Sequence, residues 1–441
     1  MKRSLWISTL LLAIVCLFFL AGCDLFKLPG VTQYSFRSED LEKYTIIYEE
    51  SNPDYFDLAN KLSDRITEKY GITLQIKPDV VATPSKYEIL LGDTNRYDQQ
   101  SKVMEYSVTV KDGRFRINVG GSFSADKAVD FLCKNIFNGK ELNLANGEYY
   151  RKSLLTKAYP LAENTTARIM TANILADAFA DSSYNKASYR AEIFAGMLIA
   201  YTPDVIGLQE VDESWNQAID DYLARLQSAH GITYSRHLAT YEGKVNYTSL
   251  LYRSDKFKVE DSGVNPFTWW TDRSFNHNYH MRNISWAQFS SLENANKKFI
   301  VANTHWSYRT EHADGRTYLT GASTPIAVNE LREQCKNETN TFLTTLRQNH
   351  PEISIVLTGD FNTSLSFFTQ ANSWTPTSFK IISEEAKVNG TAESTVPTSG
   401  HYDHLFGIGS FSIKRYAFFK DTDHLDLLTD HPFAYVDLTF H

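Results

Sequence analysis

A chain of 441 residues is too long for one ordinary hydrophobic core, so two domains are expected. With 42% hydrophobic and 22% charged residues the composition is that of a soluble globular protein. The net charge of −8 argues against broad, salt-driven attraction to nucleic acid, and four cysteines are too few for a disulfide framework.

The N-terminus reads as a targeting signal rather than as fold. Lys2 and Arg3 precede an apolar run from Leu5 to Leu20, and Leu20-Ala21-Gly22-Cys23 follows. The run is shorter than the roughly 20 residues of a spanning helix, which disfavours a permanent transmembrane segment. The Leu-Ala-Gly-Cys ending resembles a bacterial lipobox. That resemblance implies cleavage before Cys23, acylation of Cys23 (palmitate among the chains), and an extracytoplasmic protein anchored to a bacterial membrane. Without residues 1–22 the chain keeps 42 basic against 52 acidic side chains, a net charge of −10. Cys16 leaves with the signal. Cys133 and Cys335 fall in different domains and read as small buried hydrophobes.

Residues 23–40, with Pro29-Gly30, read as a tether. An accessory α/β domain is expected over 41–156. It opens with a strand at Tyr44–Tyr48 and a helix at Pro53–Tyr70, where Phe56, Leu58, Ala59, Leu62 and Ile66 recur at helical spacing and Gly71 is the stop. Strands at Ile72–Ile76 and Tyr87–Leu91 follow, then a hairpin, Tyr106–Val110 and Arg114–Val119, around Asp112-Gly113. Gly120-Gly121 precedes a helix, but no Gly-x-Lys follows, so it reads as a turn rather than a phosphate loop. Glu88–Thr94, the hairpin, the glycine pair and this helix together resemble the small α/β domains that precede the catalytic barrels of some glycoside hydrolases. No catalytic constellation is visible there. Residues 157–166, with Pro160, read as a linker.

The remainder, 167–441, alternates strands with a few long helices. Strands are expected at Arg168–Asn173, Pro203–Gln209, Ser249–Tyr252, Ile284–Phe289, Phe299–Ala302, Ile353–Leu357, Leu405–Ile408 and Phe433–Leu438. Helices are expected at about Ala187–Ala200 and Ile326–Gln348. Many strands with few helices point to two packed sheets with helices outside.

The chemistry gathers around Ser354–Asn362. A buried strand breaks at Gly359, and Asp360 and Asn362 follow two apart. Alternation along extended backbone would point both into one pocket. Polar residues recur at other strand ends: Asn173, Glu210, Asn246, Arg282, Asn303 with His305, Asp403 with His404, and Asp430 with His431. An unpaired buried acid is costly, so convergence of these groups on a cation is a natural resolution.

Thr171-Ala172-Asn173, Gly207-Leu208-Gln209-Glu210-Val211, Asn303-Thr304-His305, Gly359-Asp360-Phe361-Asn362, Tyr402-Asp403-His404 and Thr429-Asp430-His431-Pro432 stand in this order. In this the chain resembles the endonuclease/exonuclease/phosphatase superfamily, the DNase I-like fold. The resemblance implies a four-layer α/β sandwich and a divalent-metal phosphohydrolase. It implies Glu210 as principal Mg²⁺ ligand, helped by Asn173 and Asp430, with Mn²⁺ or Ca²⁺ as possible substitutes. Asp360 and Asn362 would position water and oxyanion. His431 would contact phosphate or act as base, steadied by Asp403. His305 and Arg282 would address phosphate. The sequence departs from the family where many members carry a glutamate and this chain has Asn246; Glu242 is near enough to substitute. Trp306 is expected as a substrate wall, His404 as structural, and the polar loop Ser307–Thr324 as functional. The expectation is a monomeric phosphoester hydrolase, nuclease-like. The alternatives are a lipid-headgroup or sugar-phosphate phosphatase of the same fold, or a non-catalytic binding lipoprotein.

Overall fold

The computed structural model describes residues 33–36, 38–81, 83–96, 101–111, 113–137, 142–145, 147–155, 157–178, 180, 185–238, 240–241, 244–245, 247–268, 282–306, 328–369, 379–393, 401–419 and 424–441. The expectations for Cys23, Glu242, Asn246 and the 307–324 loop concern positions outside the described residues. Among the described residues, no helix is long and apolar enough to cross a membrane.

The chain divides into two compact units. One is Met1–Asp98, Ser107–Ile117 and Val129–Arg151; the other is Gln99–Tyr106, Asn118–Ala128 and Lys152–His441. The first is built around a six-stranded sheet in the order Gln75–Pro78, Thr45–Tyr48, Glu88–Leu91, Arg114–Val119, Glu105–Lys111, Gly147–Ser153. Its helix, Asp54–Tyr70, buries Tyr55, Ala59, Leu62 and Ile66 on one stripe. The helix ends at Gly71, whose φ of 72° is a left-handed cap that a Cβ would strain. Two expectations shift. The strand expected at Ile72–Ile76 lies at Gln75–Pro78, where the backbone comes level with Thr45–Tyr48. Residues 33–36, expected within the tether, form a strand paired antiparallel with Leu142–Ala145; pairing satisfies backbone groups that a free tether would leave to water.

The second unit holds two six-stranded mixed sheets. Its strands are β1 (Ala167–Asn173), β2 (Val205–Gln209), β3 (Tyr234–His237), β4 (Leu250–Arg253), β5 (Phe257–Pro266), β6 (Asn283–Ser291), β7 (Lys298–His305), β8 (Ser354–Asp360), β9 (Lys380–Ile381), β10 (Asp403–Ile408), β11 (Phe411–Phe418) and β12 (Ala434–Phe440). One sheet runs β3-β4-β2-β1-β12-β11 and the other β5-β6-β7-β8-β10-β9.

Strand alternation builds the layers. Ile169, Val205, Leu250 and Val436 of the first sheet meet Phe289, Phe299, Val301 and Val356 of the second. Each such side chain contributes about 1.5–3 kcal/mol on burial. Ile355 and Leu357, the neighbours of Val356, point the other way, into Cys335, Leu343 and Leu346 of helix α3 (Val328–Asn349). On the far side Tyr435 meets Tyr201 of helix α1 (Ala187–Tyr201), with ring centroids 5.6 Å apart. Helix α2 (Glu213–His230) packs Trp215 against Phe194 of α1. The result is helix, sheet, sheet, helix, the expected fold class. Helix α2 and strands β3, β5, β9 and β11 are additions to the expected elements.

Candidate active site

Strand direction decides where the polar residues gather. β1 and β2 run parallel, as do β7 and β8, so Asn173, Gln209, His305 and Asp360 all stand at strand exits. β10 and β12 are antiparallel to their neighbours and begin at that end, bringing Asp403 and, just ahead of β12, His431. His305 is level with Asp360, and Asp360 with Asp403. Beneath them the sheets close on a polar seam. Gln209 Nε2 donates to Asn303 Oδ1 at 2.6 Å, and Asn303 Nδ2 donates to the Leu208 carbonyl at 2.7 Å. Gly207 permits this approach, since a Cβ there would collide with Thr358 Oγ1 and Asn303 Oδ1.

Both sheets contribute to one cluster. Glu210 leaves β2 in left-handed backbone, φ 63°, a conformation costing on the order of 1–3 kcal/mol for a non-glycine residue. Its carboxylate accepts from Asn173 Nδ2 at 3.1 Å and from the Ala176 N–H at 3.0 Å. Asn173 Nδ2 also donates to Asp360 Oδ2 at 3.1 Å. His305 Nε2 lies 3.3 Å from Asp360 Oδ2 and 3.9 Å from Glu210 Oε1. His431 Nδ1 meets Asp403 Oδ2 at 2.7 Å, while its Nε2 faces Asp360 Oδ2 at 3.9 Å. The Asn362 N–H donates to Asp360 Oδ1 at 2.8 Å, and Asn362 Nδ2 donates to the Trp306 carbonyl at 2.9 Å. Arg282 reaches the cluster through the His305 carbonyl, 3.4 Å from its Nη1.

Burial and charge assign protonation. Burial alone would raise the Asp360 carboxyl, but the charge of His431, His305 and the Asn362 N–H outweigh it and hold the group ionised well below its ordinary range. Burial opposes a charge on His431, yet the Asp403 and Asp360 carboxylates push its pKa well above 6.5. Asp403 itself is raised to about 6, by burial first, with His431 pulling the other way. His305 is lowered, by burial and then by Arg282, and is neutral at neutral pH. Glu210 is lowered: burial would raise it, but His305 and the N–H donors of Ala176 and Asn173 prevail.

The structure therefore brings Glu210, His305, Asp360, Asn362, Asp403, His431 and Asn173 within hydrogen-bond or ion-pair reach of one another. Four details differ from expectation. Asn173 Oδ1 accepts the Leu175 N–H at 3.0 Å, so the amide turns its N–H₂ to the acids and acts as a donor rather than an oxygen ligand. Asp430 lies at the rim, its side chain 57% exposed and 3.9 Å from His431 Nε2. Asn362 shares a pocket with Asp360 through a left-handed turn, φ 49°, not through strand alternation. Trp306 is fully buried against Phe361 and Phe368 and walls no substrate; the residue after a strand-end histidine points back into the layer under α3. His404 is buried and structural, with Nε2 3.0 Å from the Thr363 carbonyl. Thr429 is a further contributor: its hydroxyl donates to the Asn173 carbonyl at 2.8 Å and accepts the His431 N–H at 3.2 Å. Its place in the Thr-Asp-His-Pro motif was the available signal.

The donor set fits a divalent cation. Glu210, His305 and Asp360 offer ligand atoms within 4.8 Å of one another, as do Asp360, Asp403 and His431. The first set has two ionised carboxylates and a neutral imidazole. In the second, the ring of His431 is held protonated and has no lone pair to give. Carboxylate oxygen donors suit a hard ion such as Mg²⁺.

The sequence pattern of the Endonuclease/Exonuclease/phosphatase family matches residues 170–424. No curated protein matches the chain. Among solved structures, an endonuclease/exonuclease/phosphatase from Bacteroides vulgatus is similar at 21% identity and TM-score 0.46, over 62% of this chain and 99% of that one. A mannosyl-6-phosphatase from Bacteroides thetaiotaomicron is similar at 17% identity and TM-score 0.44, over 62% and 100%. TDP2 of D. rerio, complexed with a single-strand DNA product, is similar at 17% identity and TM-score 0.41, over 62% and 98%. A family match across more than half of the sequence settles the assignment: the chain belongs to the endonuclease/exonuclease/phosphatase family and is a phosphoric ester hydrolase.

Proposed function

We propose that this hydrolase is Mg²⁺-dependent, acts on phosphodiesters or phosphomonoesters, and is displayed on the outer side of a bacterial membrane through lipidated Cys23. One observation carries the catalytic part: a buried, ionised Asp360 faces both a neutral His305 and a protonated His431 at the junction of two sheets. Because Asp403 keeps His431 protonated, that ring is unsuited as a base. Asp360 takes the proton of the attacking water. The imidazolium of His431 and the guanidinium of Arg282 donate to phosphoryl oxygens as charge develops there. Asn362, fixed by the Trp306 carbonyl, keeps Asp360 oriented. Glu210 would hold the cation, which would supply positive charge against the phosphoryl and leaving oxygens and leave Asp360 to the water. The apolar run ending at Cys23 supports the anchor.

The test is hydrolysis of bis(p-nitrophenyl) phosphate with Mg²⁺ and then with chelator, in parallel with Glu210→Ala and His431→Ala. Turnover should need the metal and fall in both variants; undiminished turnover in both refutes the site. Cys23→Ala should move the protein from the membrane fraction to the soluble one.

A further inference from the structure

One side chain joins the two loops that carry the first sheet's share of the site. Arg190, in the first turn of α1, is fully buried. Its Nη1 donates to the carbonyls of Ile174 at 3.1 Å and Leu175 at 2.9 Å, the residues that directly follow Asn173. The same nitrogen donates to the Leu428 carbonyl at 2.9 Å, shortly before His431. Nε donates to the Asn185 carbonyl at 2.8 Å, and Nη2 lies 3.2 Å from Asp177 Oδ1. The guanidinium carbon stands over the Trp215 ring, 5.0 Å from its centroid.

Both loops end on groups of the site. The Ala176 N–H that meets Glu210 comes directly after Leu175, whose backbone is left-handed, φ 56°. Such a turn persists only where its surroundings hold it. The Leu175 carbonyl takes two donors, Arg190 Nη1 and, at 2.9 Å, Trp215 Nε1. In the other loop Leu428 ends the one-turn helix Leu425–Leu428, and Thr429 follows. The Thr429 hydroxyl bridges the Asn173 carbonyl and the His431 N–H. Arg190 and Thr429 thus cross-link the same pair of loops at two points. A planar guanidinium can serve several carbonyls at once, where an ammonium reaches fewer. Glu192, two residues along and on the opposite side of α1, is equally buried but bonds elsewhere in the same unit. Its carboxylate accepts the Met104 and Ser124 N–H groups, each at 2.9 Å.

We propose that Arg190 is a positioning residue for the reaction. It sets the spacing between the Asn173 loop, which orients Glu210, and the loop that presents His431. Being fully buried, it acts through backbone carbonyls and not on the substrate. A displacement of about 1 Å at the reacting groups is enough to slow an enzyme about a hundredfold. The inference rests on the phosphoester hydrolysis argued above and adds what holds His431 in register with Asp360.

Arg190→Lys keeps the charge and most of the volume but cannot span both loops. With Mg²⁺ and bis(p-nitrophenyl) phosphate, its kcat per folded molecule should fall about 10- to 100-fold while KM stays nearly level. Asp177→Asn, at a side chain 26% exposed, keeps an oxygen for the Ala187 N–H and gives up the charge beside Nη2. Its kcat should fall in the same sense but less. Should Arg190→Lys fail to fold, Asp177→Asn decides. Glu192→Gln is the control for α1: its urea midpoint should drop while kcat per folded molecule stays level. The proton NMR resonance of the His431 Nδ1–H gives a readout without turnover. The 2.7 Å bond to Asp403 moves it far downfield, and its loss in His431→Ala identifies it. Arg190→Lys and Asp177→Asn should shift or broaden that resonance at fixed pH, and Glu192→Gln should not. An undiminished kcat in Arg190→Lys and Asp177→Asn overturns the assignment. So does an equal fall in Glu192→Gln, which would make Arg190 a prop of the helix alone. If the wild type hydrolyses no phosphoester, the proposed function falls, and the resonance still judges whether Arg190 places His431.

Discussion

At the start of β1, Arg168 meets Asp437 of β12; at its other end, Asn173 meets Glu210 and Asp360. Both ends bury charge, but they balance it differently. Arg168 Nε lies 2.6 Å from Asp437 Oδ1 and Nη2 lies 2.9 Å from Oδ2, with both side chains fully buried. Its Nη1 donates to the Tyr159 carbonyl at 2.7 Å, its Nη2 donates to the Pro160 carbonyl at 3.0 Å, and the Ala162 N–H donates to Asp437 Oδ2 at 2.9 Å. Every charge there has a counter-charge and every donor an acceptor. At the opposite end three carboxylates, Glu210, Asp360 and Asp403, share one cluster, where a single imidazolium, His431, faces Asp403 and Asp360. The closed end is an internal staple. The open end keeps surplus negative charge, which a cation and a substrate complete.

Four substitutions test that contrast, and the largest effect belongs to the open end. Asp360→Ala should lower kcat about a thousandfold, within the range for positioned acid–base groups. Its urea midpoint should fall only modestly, because Asp403 still pairs with His431 when Asp360 is gone. A stability loss as large as that of the staple would place Asp360 among the structural charges instead. Next comes Arg168→Ala, which leaves Asp437 buried and unpaired and should cost about 3–5 kcal/mol of folding stability. Urea denaturation measures that loss, and turnover per folded molecule should stay level.

How much of this was legible in the sequence follows from what each residue type encodes. The run Ser354–Leu357 announced a strand buried on both faces, because four apolar or small residues in a row leave no face for water. β11 was not announced. Its Phe411-Ser412-Ile413-Lys414-Arg415 puts one buried position before four half-buried ones across a register shift between Ile413 and Arg415, which breaks the two-residue period. Helix α2 was readable in hindsight. Trp215, Ala218, Ile219, Tyr222 and Leu226 keep a helical stripe, and Gly231 ends it in left-handed backbone. At the site, motif order named the strand-end acids and histidines. It did not name directions. That Trp306 turns inward and that Asn173 turns its N–H₂ to the acids are consequences of packing between segments distant in the chain.

His404 sharpens the comparison, since it is a buried titratable group one residue from Asp403 yet stays neutral. Burial, then the neighbouring His401, pushes its pKa down to about 3. The folded protein therefore binds fewer protons here than the unfolded chain between about 3 and the ordinary 6.5. The stability contribution is whole above 6.5 and is lost as pH falls through that window, at about 1.4 kcal/mol per pH unit. His404→Phe, surrounded by Phe361, Phe368 and Phe406, should flatten the stability–pH curve by about that slope. Losing the bond to Thr363 would only shift the whole curve. Urea midpoints of variant and wild type taken side by side between pH 7 and pH 5, so that Asp403 with its raised pKa of about 6 contributes to both alike, tell a change of slope from a parallel shift. An unchanged slope would mean that His404 is already charged in the fold.

The smallest effect separates two acids only two residues apart. Glu210 and Asp212 leave the same strand exit, but Asp212 is balanced. Its Oδ1 accepts the Trp215 N–H at 3.0 Å as the cap of α2, and its Oδ2 accepts the Ala178 N–H at 3.1 Å. If pairing is what distinguishes structural acids from functional ones, Asp212→Ala should cost about 1 kcal/mol of stability and leave kcat level. Asp212→Asn should restore most of that stability, because an amide oxygen caps a helix about as well as a carboxylate. Glu210→Gln should restore no turnover, because a neutral amide cannot supply the negative charge that a divalent cation needs. Should Asp212→Ala slow the reaction as Glu210→Ala does, proximity to the strand exit would matter more than the state of pairing, and the division between the two ends of the sandwich would fail.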